Sequence, residues 1–506
     1  MDALLAFIKG VCSRIQAISD LFWEFPTNLK FYADIPVLGE FSLALFLLLG
    51  SGVYFTIRLR FIQIRRFGYA LSLLAHKRAG RTGLSPLAAF FLSTAMRVGP
   101  GNIIGVTGAI SVGGPGALFW MWVSAFFGMA TAFVESTLAQ IFKERKDGEY
   151  IGGMAFYGRR LAGDSVIVGV ALSLVYIVYA LLCFPAQGFN SVSSLGMIAS
   201  LASGETLPTT HWVYWLGFAL VLGAVATVSF GGTKKIAKVT GLLVPLMACV
   251  YVALALALIV ANAERLGWFF EAVFIGAFAP EAAFGGALGT VIMQGVRRGL
   301  MSNEAGQGTL TMPAAAADAA HPCDQGCVQA VGVFLDTIVL ATLTGFVVIM
   351  AHAWSGGEAW AQLGKLQKFL VSVETLSPAS NLSGFLALIS ALCFGLFAFT
   401  TLLGFMSFSE ICANRISRKA GFINSVRVLN IAVIAFGMLT SIVGMDLGAL
   451  WDLSDFANVL IAFCNIPLLF LGFGYVLRAT KHFESGGAKF DESVVGVKLD
   501  AWKAAK

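Results

Sequence analysis

Charge is what this chain has least of: Asp, Glu, Lys and Arg make up 12% of its 506 residues, about half the share of an ordinary soluble protein. Histidine is scarcer still, with five, at 76, 211, 321, 352 and 482, at or beyond the edges of the apolar runs. With no HExxH, no GxSxG and no clustered His or Cys, the residue sets that a membrane-embedded enzyme would need are missing. The eight cysteines make no disulfide framework, and Cys323 and Cys327 lack the rest of a metal-ligand set, so free thiols are expected. A secretory leader is not apparent either: the run Ala3 to Ile8 is short, and Lys9 and Arg14 follow it instead of preceding it. Ala3 to Trp23 reads as an amphipathic interfacial helix.

What the chain has in excess is apolar sequence, 58% of residues with a mean hydropathy of +0.82. Runs of about 20 residues recur to near the end, which makes this an all-α polytopic membrane protein. Spans are expected at 36–57, 86–112, 115–142, 165–201, 212–230, 241–262, 280–300, 326–350, 383–408, 422–443 and 453–477, eleven in all. The fourth is about 55 Å long at 1.5 Å per residue, so it tilts, kinks at Pro185 or projects beyond the bilayer. The organisation expected is an N-terminal interfacial segment 1–35, one extra span 36–57, a five-helix group 86–262, a second five-helix group 280–477 and a tail 478–506. Of the 34 Lys and Arg, 27 fall in alternate loops and the tail. The positive-inside rule then sets the N-terminus outside and the C-terminus in the cytoplasm, in a plasma (inner) membrane. The net charge of +6 is this topology signal, aided by anionic lipid at the inner face, and needs no nucleic-acid partner.

Two groups of five helices must be inverted relative to each other, because five is odd. Each group opens with an interrupted helix: Arg97 to Asn102, RVGPGN, in the first, and Ala283 to Gly289, AFGGALG, in the second. Pro100 lacks an N–H and the glycines weaken a helix by roughly 1 kcal/mol each. In hydrocarbon the freed backbone groups must be satisfied by protein, ligand or trapped water. Paired breaks at corresponding positions point to a secondary transporter's site near the bilayer midplane. After the first break, N–H groups at Gly101 and Asn102 suit a carboxylate. Before it, carbonyls near Val98 suit a small cation.

The stretch RVGPGNIIGVTGAISVGGPGALFWMWVSAFFGMATAFVE, the later RRGLMSNEAGQGT with HP and GVFLDT after it, and the block LFAFTTLLGFMSFSE resemble the alanine or glycine to cation symporter family over nearly the whole chain. The resemblance implies sodium-coupled import of alanine or glycine, with sodium as the coupling ion and no other cofactor. It also implies a leucine-transporter-like fold, a 5+5 inverted repeat with two broken helices preceded by one extra helix. Carried over by position, Gly99, Gly101 and Asn102 match the unwound segment, and the carbonyls of Ala95 and Val98 face sodium with the Thr400 and Thr401 hydroxyls. Gln187 and Asn190 face the substrate, and Gly285 and Gly286 form the other wall. Two departures stand out: Pro100 where the family usually has threonine, and Phe405 where it commonly has tryptophan. Both bear on which substrate is taken.

Several polar residues have two readings. Asp336, near the middle of the eighth span, is an ion or proton residue or a structural hydrogen-bond partner, and Glu135 is open in the same way. Arg97 reads as a partner for freed carbonyls in preference to a substrate contact. Asn303 and Glu304, following Arg297 and Arg298, read as an inner-gate ion pair or as a helix cap. Sodium is favoured over protons because the sixth span, 241–262, carries no titratable Lys, Asp, Glu or His. The alternatives are a proton-coupled or broader-specificity amino-acid transporter and, from another class, a membrane-embedded enzyme.

Overall fold

The computed structural model describes residues 2–35, 39, 41–75, 83–146, 148–278, 287–354, 360, 362–445, 447–487 and 489–502. An N-terminal helix α1 (Asp2–Glu24) precedes α2 (Leu43–Arg58), and the pair α3 (Pro86–Arg97) and α4 (Gly101–Gly113) is bent by 49° at the break between them. Then come α5 (Gly116–Ile141), the hairpin β1 (Glu144–Lys146) and β2 (Glu149–Ile151), α6 (Val166–Ser203), α7 (Trp212–Ser229), α8 (Gly232–Ala261) and α9 (Leu266–Phe278). The second half holds α10 (Ala287–Asn303), α11 (Pro322–His352), α12 (Lys365–Thr375), α13 (Ser380–Ile416), α14 (Ala420–Ile442) and α15 (Leu447–Glu484). Helices prevail because they close every backbone hydrogen bond within the segment.

Eight helices among the described residues are long and apolar enough to cross a membrane: α5 to α8, α11 and α13 to α15, with the bent pair α3 and α4 making a ninth. The other two expected spans correspond to α2, which is shorter, and α10, which carries Arg297 and Arg298 inside the helix. Several helices outrun their apolar cores because capping and buried polar contacts extend them. His321 and Asp324 form a reciprocal cap that starts α11 at Pro322. The Arg427–Glu410 ion pair at 2.8 Å and the Asn430 to Ser409 hydrogen bond at 2.9 Å carry α13 past Phe408. α6 passes through Pro185 unbroken, and Gly437 of α14 lies so close to the Pro185 backbone that a β-carbon would collide with it.

α6 packs along α13, α14 and α15, and α5 packs against α10 and α11. α1 lies against α15 with Trp23 fully buried, so the N-terminal helix is docked on the bundle. The chain after α15 folds back as well. Phe490, Val495 and Leu499 are buried, and the Trp502 indole donates to the Gln140 carbonyl at 2.7 Å. Lys143 extends its ammonium over the rings of Tyr150 and Trp502, at 3.9 and 4.7 Å, and donates to the Ala317 carbonyl at 2.9 Å.

His321 packs under this tail, stacked on His482 with Phe490 across both rings. Its Nδ1 accepts from the Cys323 N–H at 3.1 Å, which requires that nitrogen to be unprotonated. Burial and then the neighbouring His482 push its pKa down to about 4. The unfolded chain takes up this proton near pH 6.5, so His321 contributes stability above that pH that is lost as pH falls toward 4. Thermal unfolding in detergent across pH 6.5 to 4 tests this: the melting temperature of the wild type should fall further than that of His321→Asn, which keeps a capping acceptor but does not titrate. Equal falls would remove His321 from the effect.

Candidate functional site

Ser85 starts α3 by accepting from the Ala88 N–H at 3.1 Å, with Pro86 in the first turn where its missing N–H matters least. The helix ends at Arg97, Val98 leaves helical geometry, and Pro100 turns the chain into α4. Asn102 holds this break together. Its Oδ1 accepts from the Gly99 N–H at 2.9 Å, while its own N–H donates to the Gly99 carbonyl at 3.0 Å. The first turn of α4, Gly101–Gly105, is a π turn, a feature common at functional sites.

The second expected break, Ala283 to Gly289, lies mostly outside the described residues, Gly285 and Gly286 included: α9 ends at Phe278 and α10 begins at Ala287. A further, unexpected break separates α10 from the short helix Thr311–Ala316, where Glu304, Gly306 and Gly308 all have positive φ, which a right-handed helix cannot accommodate. Glu135 of α5 supports it from below. Its carboxylate accepts from the Gly306 N–H at 3.2 Å, the Gly308 N–H at 2.9 Å and the Asn465 amide at 3.0 Å. Tyr176 donates to the Gln307 carbonyl at 2.8 Å, and the Thr309 hydroxyl to Glu304 at 2.8 Å. A polar stretch at the end of an apolar run looks like a loop in sequence, which hid this break.

The two breaks are tied to each other through Asp336, which sits in a π turn of α11. Its carboxylate accepts from the Asn102 amide at 2.6 Å, the Ser302 hydroxyl at 2.7 Å and the Thr337 hydroxyl at 2.8 Å. Arg97, fully buried, donates to Gln329 at 2.9 Å, not to a freed carbonyl. Its charge is opposed by the carboxylates of Glu304, Asp336 and Glu135, three acids against one guanidinium. Arg297 and Arg298 pair with Asp455 of α15 at 2.6 and 2.9 Å. They do not pair with Glu304, so the inner-gate reading of that motif is replaced by an α10 to α15 clasp.

Between the breaks lies a small cavity of about 40 Å³, room for about three waters. Gly99, Gly101, Gln187, Thr401 and Phe405 line it together with Glu304 and Trp451. The Thr401 hydroxyl is 3.3 Å from the Ala95 carbonyl, and a β-carbon at Gly99 would lie 2.7 Å from that hydroxyl. Thr400 points elsewhere, bonding carbonyls of its own helix and facing the Met247 sulfur of α8 at 3.6 Å. Val98 is buried beside the break. Asn102 is consumed in bracing, and Asn190 lines a different chamber. Met301, Glu304, Trp451, Ser454 and Asn458 line the cavity without a sequence signal marking them as wall residues, although Ser454 and Asn458 share one face of α15.

Fold and site define a polytopic membrane protein in which a broken helix and the break after α10 meet around a small cavity lined by polar and apolar side chains. The chain belongs to the sodium:alanine symporter family, whose profile matches residues 33–495. It is 36% identical over 452 residues to a protein of Bacillus subtilis described as the probable sodium/glutamine symporter GlnT, covering 87% of this chain and 88% of that one. It is 35% identical to the sodium/alanine symporter AgcS of Methanococcus maripaludis, over 87% and 93% of the two chains. The amino-acid carrier protein AlsT of B. subtilis is 34% identical, over 84% and 86%. Among solved structures, MhsT in complex with L-phenylalanine superposes with a TM-score of 0.56 over 80% of this chain and 93% of that one, at 15% identity, a likeness of fold.

Glu135 supplies the first stability test of this site. Replacing it by alanine strips the Gly306 and Gly308 N–H groups of their acceptor, at about 1–3 kcal/mol for each unsatisfied group. Glu135→Ala should therefore lower the melting temperature of the detergent-solubilised protein well beyond Glu135→Gln, which keeps one acceptor oxygen. Equal losses from the two variants would show that the carboxylate's acceptor role is not what supports the break.

Proposed function

We propose that the protein carries a small neutral amino acid such as alanine or glycine into the cell together with sodium. In this reading it works by alternating access through eleven spans, one extra helix followed by two inverted groups of five. The observation that carries the reading is the meeting of the Pro100 break and the break after α10 at one cavity, with the Thr401 hydroxyl against the Ala95 carbonyl. Membership of the sodium:alanine symporter family, and relatives named for sodium with alanine or glutamine, support the same conclusion. The excess of Lys and Arg on alternate loops and the tail supports an N-terminus outside and a cytoplasmic C-terminus.

Sodium is a hard cation that takes carbonyl and hydroxyl oxygens. In this proposal the carbonyls of Ala95 and Val98 and the hydroxyl of Thr401 supply them, while Thr400, turned toward Met247, stays out of the shell. The amino acid's carboxylate lies toward Gly101 at the positive end of α4. Its ammonium lies toward Gln187, whose buried Oε1 has no hydrogen-bond partner among the described residues. The cavity's size suits a short side chain. β-Carbons built at Gly101 or Gly105 would meet nothing within 4 Å, so both positions leave space for ligand. Phe405, braced edge-on by Tyr179 and Phe184 at 5.5 and 5.9 Å, limits that space.

Proton coupling would call on Asp336, yet both of its oxygens already accept hydrogen bonds from neutral donors. The test is uptake of labelled alanine and glycine into proteoliposomes with an imposed sodium gradient, and again with only a proton gradient. Accumulation should follow sodium, and uptake indifferent to sodium would sink the coupling. In the same assay Thr401→Ala should raise the sodium concentration for half-maximal uptake by about tenfold, the effect of losing roughly 1.4 kcal/mol of ion binding. An unchanged sodium dependence would take Thr401 out of the ion's shell.

A further inference from the structure

Beyond Trp451 lies a second and larger chamber, about 720 Å³, bounded by α4, α6, the start of α12 and the α14 to α15 turn. Trp451 lines both chambers, so they share that wall. α15 runs from this chamber to the docked tail, so the chamber opens on the face opposite the tail. Its charged groups are two lysines, beside the neutral polar side chains of Ser111, Asn190, Ser193 and Gln367. Asn190 stands three residues after Gln187 on α6, almost fully buried, and its amide nitrogen has no hydrogen-bond partner among the described residues. Such a group costs about 1–3 kcal/mol if left unsatisfied, so it marks a place where a ligand or water supplies an acceptor. Lys368, mostly buried, lies over the Trp360 ring at 5.0 Å and touches the Ser111 hydroxyl at 3.3 Å. Lys365 adds a second ammonium stem to the same wall, against Gly108 of α4.

An ammonium and an unpartnered amide donor on one chamber select an acceptor with negative charge. Here that chemistry meets the path to a cavity with its own unpartnered acceptor, Gln187. We infer that this chamber captures the carboxylate of the amino acid before Trp451 moves aside, with Lys368 as the charge and Asn190 as the hydrogen-bond donor. The inference rests on the amino-acid transport reading above. Capture raises the local concentration of substrate at the inner cavity without touching the ion-binding oxygens. Its loss therefore weakens the apparent affinity for amino acid and spares both the maximal rate and the sodium dependence.

The experiment is initial-rate uptake of labelled L-alanine by the full-length protein in proteoliposomes under a sodium gradient. Lys368→Met should raise KM about tenfold, as expected for losing one charge-assisted hydrogen bond, with the maximal rate within twofold and sodium half-saturation unchanged. Lys368→Arg should return KM close to the wild-type value. Asn190→Asp, which keeps the shape but repels a carboxylate, should raise KM at least as much. A KM unchanged in Lys368→Met and Asn190→Asp overturns the capture site while leaving the transport reading intact, and so does a fall in maximal rate with KM unchanged. A wild type that accumulates no alanine, glycine or glutamine under a sodium gradient overturns the transport reading and the capture site with it.

Discussion

The backbone left open at two broken helices, inside an apolar bundle, is the constraint on which the rest of the structure depends. Each N–H or carbonyl freed there must find a partner or lose about 1–3 kcal/mol. The chain solves this with side chains from distant segments. Asn102 closes the first break on itself, Glu135 closes the second from α5, and Asp336 on α11 takes hydrogen bonds from both sides of the gap, through Asn102 and Ser302. These bonds satisfy the breaks and also fix their relative position, so the cavity between them has defined walls before any ligand enters.

The first break was legible in the sequence because Pro100 between two glycines cannot be mistaken for packed helix. The second was not. Glu304 adopts a left-handed conformation that its residue type does not announce, and the polar run around it reads as the end of a span. Its partner was half visible, since a carboxylate such as Glu135 in an apolar run must be bonded to something, but what it bonds lies 171 residues away in the chain. Gln187 and Asn190, one helical turn apart, were read as one site. They line different chambers because Trp451, remote in sequence, forms the wall between them, and only the fold brings that ring there. Likewise nothing in the sequence tells what lets Arg297 and Arg298 lie within an apolar helix: the acid that pairs with them, Asp455, is on α15.

The same acids that hold the breaks surround Arg97. Glu304, Asp336 and Glu135 lie about a single buried guanidinium, and each also accepts hydrogen bonds from a break or from a residue beside one. Charge balance around Arg97 and support of the backbone therefore rest on one set of side chains, and a substitution that removed an acid for its charge would also release the groups it holds.

α10 shows how such bracing and movement fit together. In its C-terminal third Arg297 and Arg298 grip Asp455, with the Trp23 ring of the docked N-terminal helix 4.9 Å from the Arg297 guanidinium and its indole donating to the Asp455 carbonyl. One turn further on, Ser302 is held by Asp336, and Glu135 holds the turn that follows. Separating a buried ion pair strands its charges, at about 3–5 kcal/mol. α10 therefore does not tilt freely, and its displacement needs an energy source of that size. A ligand bound where both breaks meet can supply it only through contacts that differ between the two positions of α10. The clasp at Asp455 adjoins Trp451 on α15, so opening it and clearing the wall between the chambers involve the same stretch of helix. In the proposed transport cycle, the energy needed to part that ion pair sets how much differential binding a substrate and its ion would have to provide.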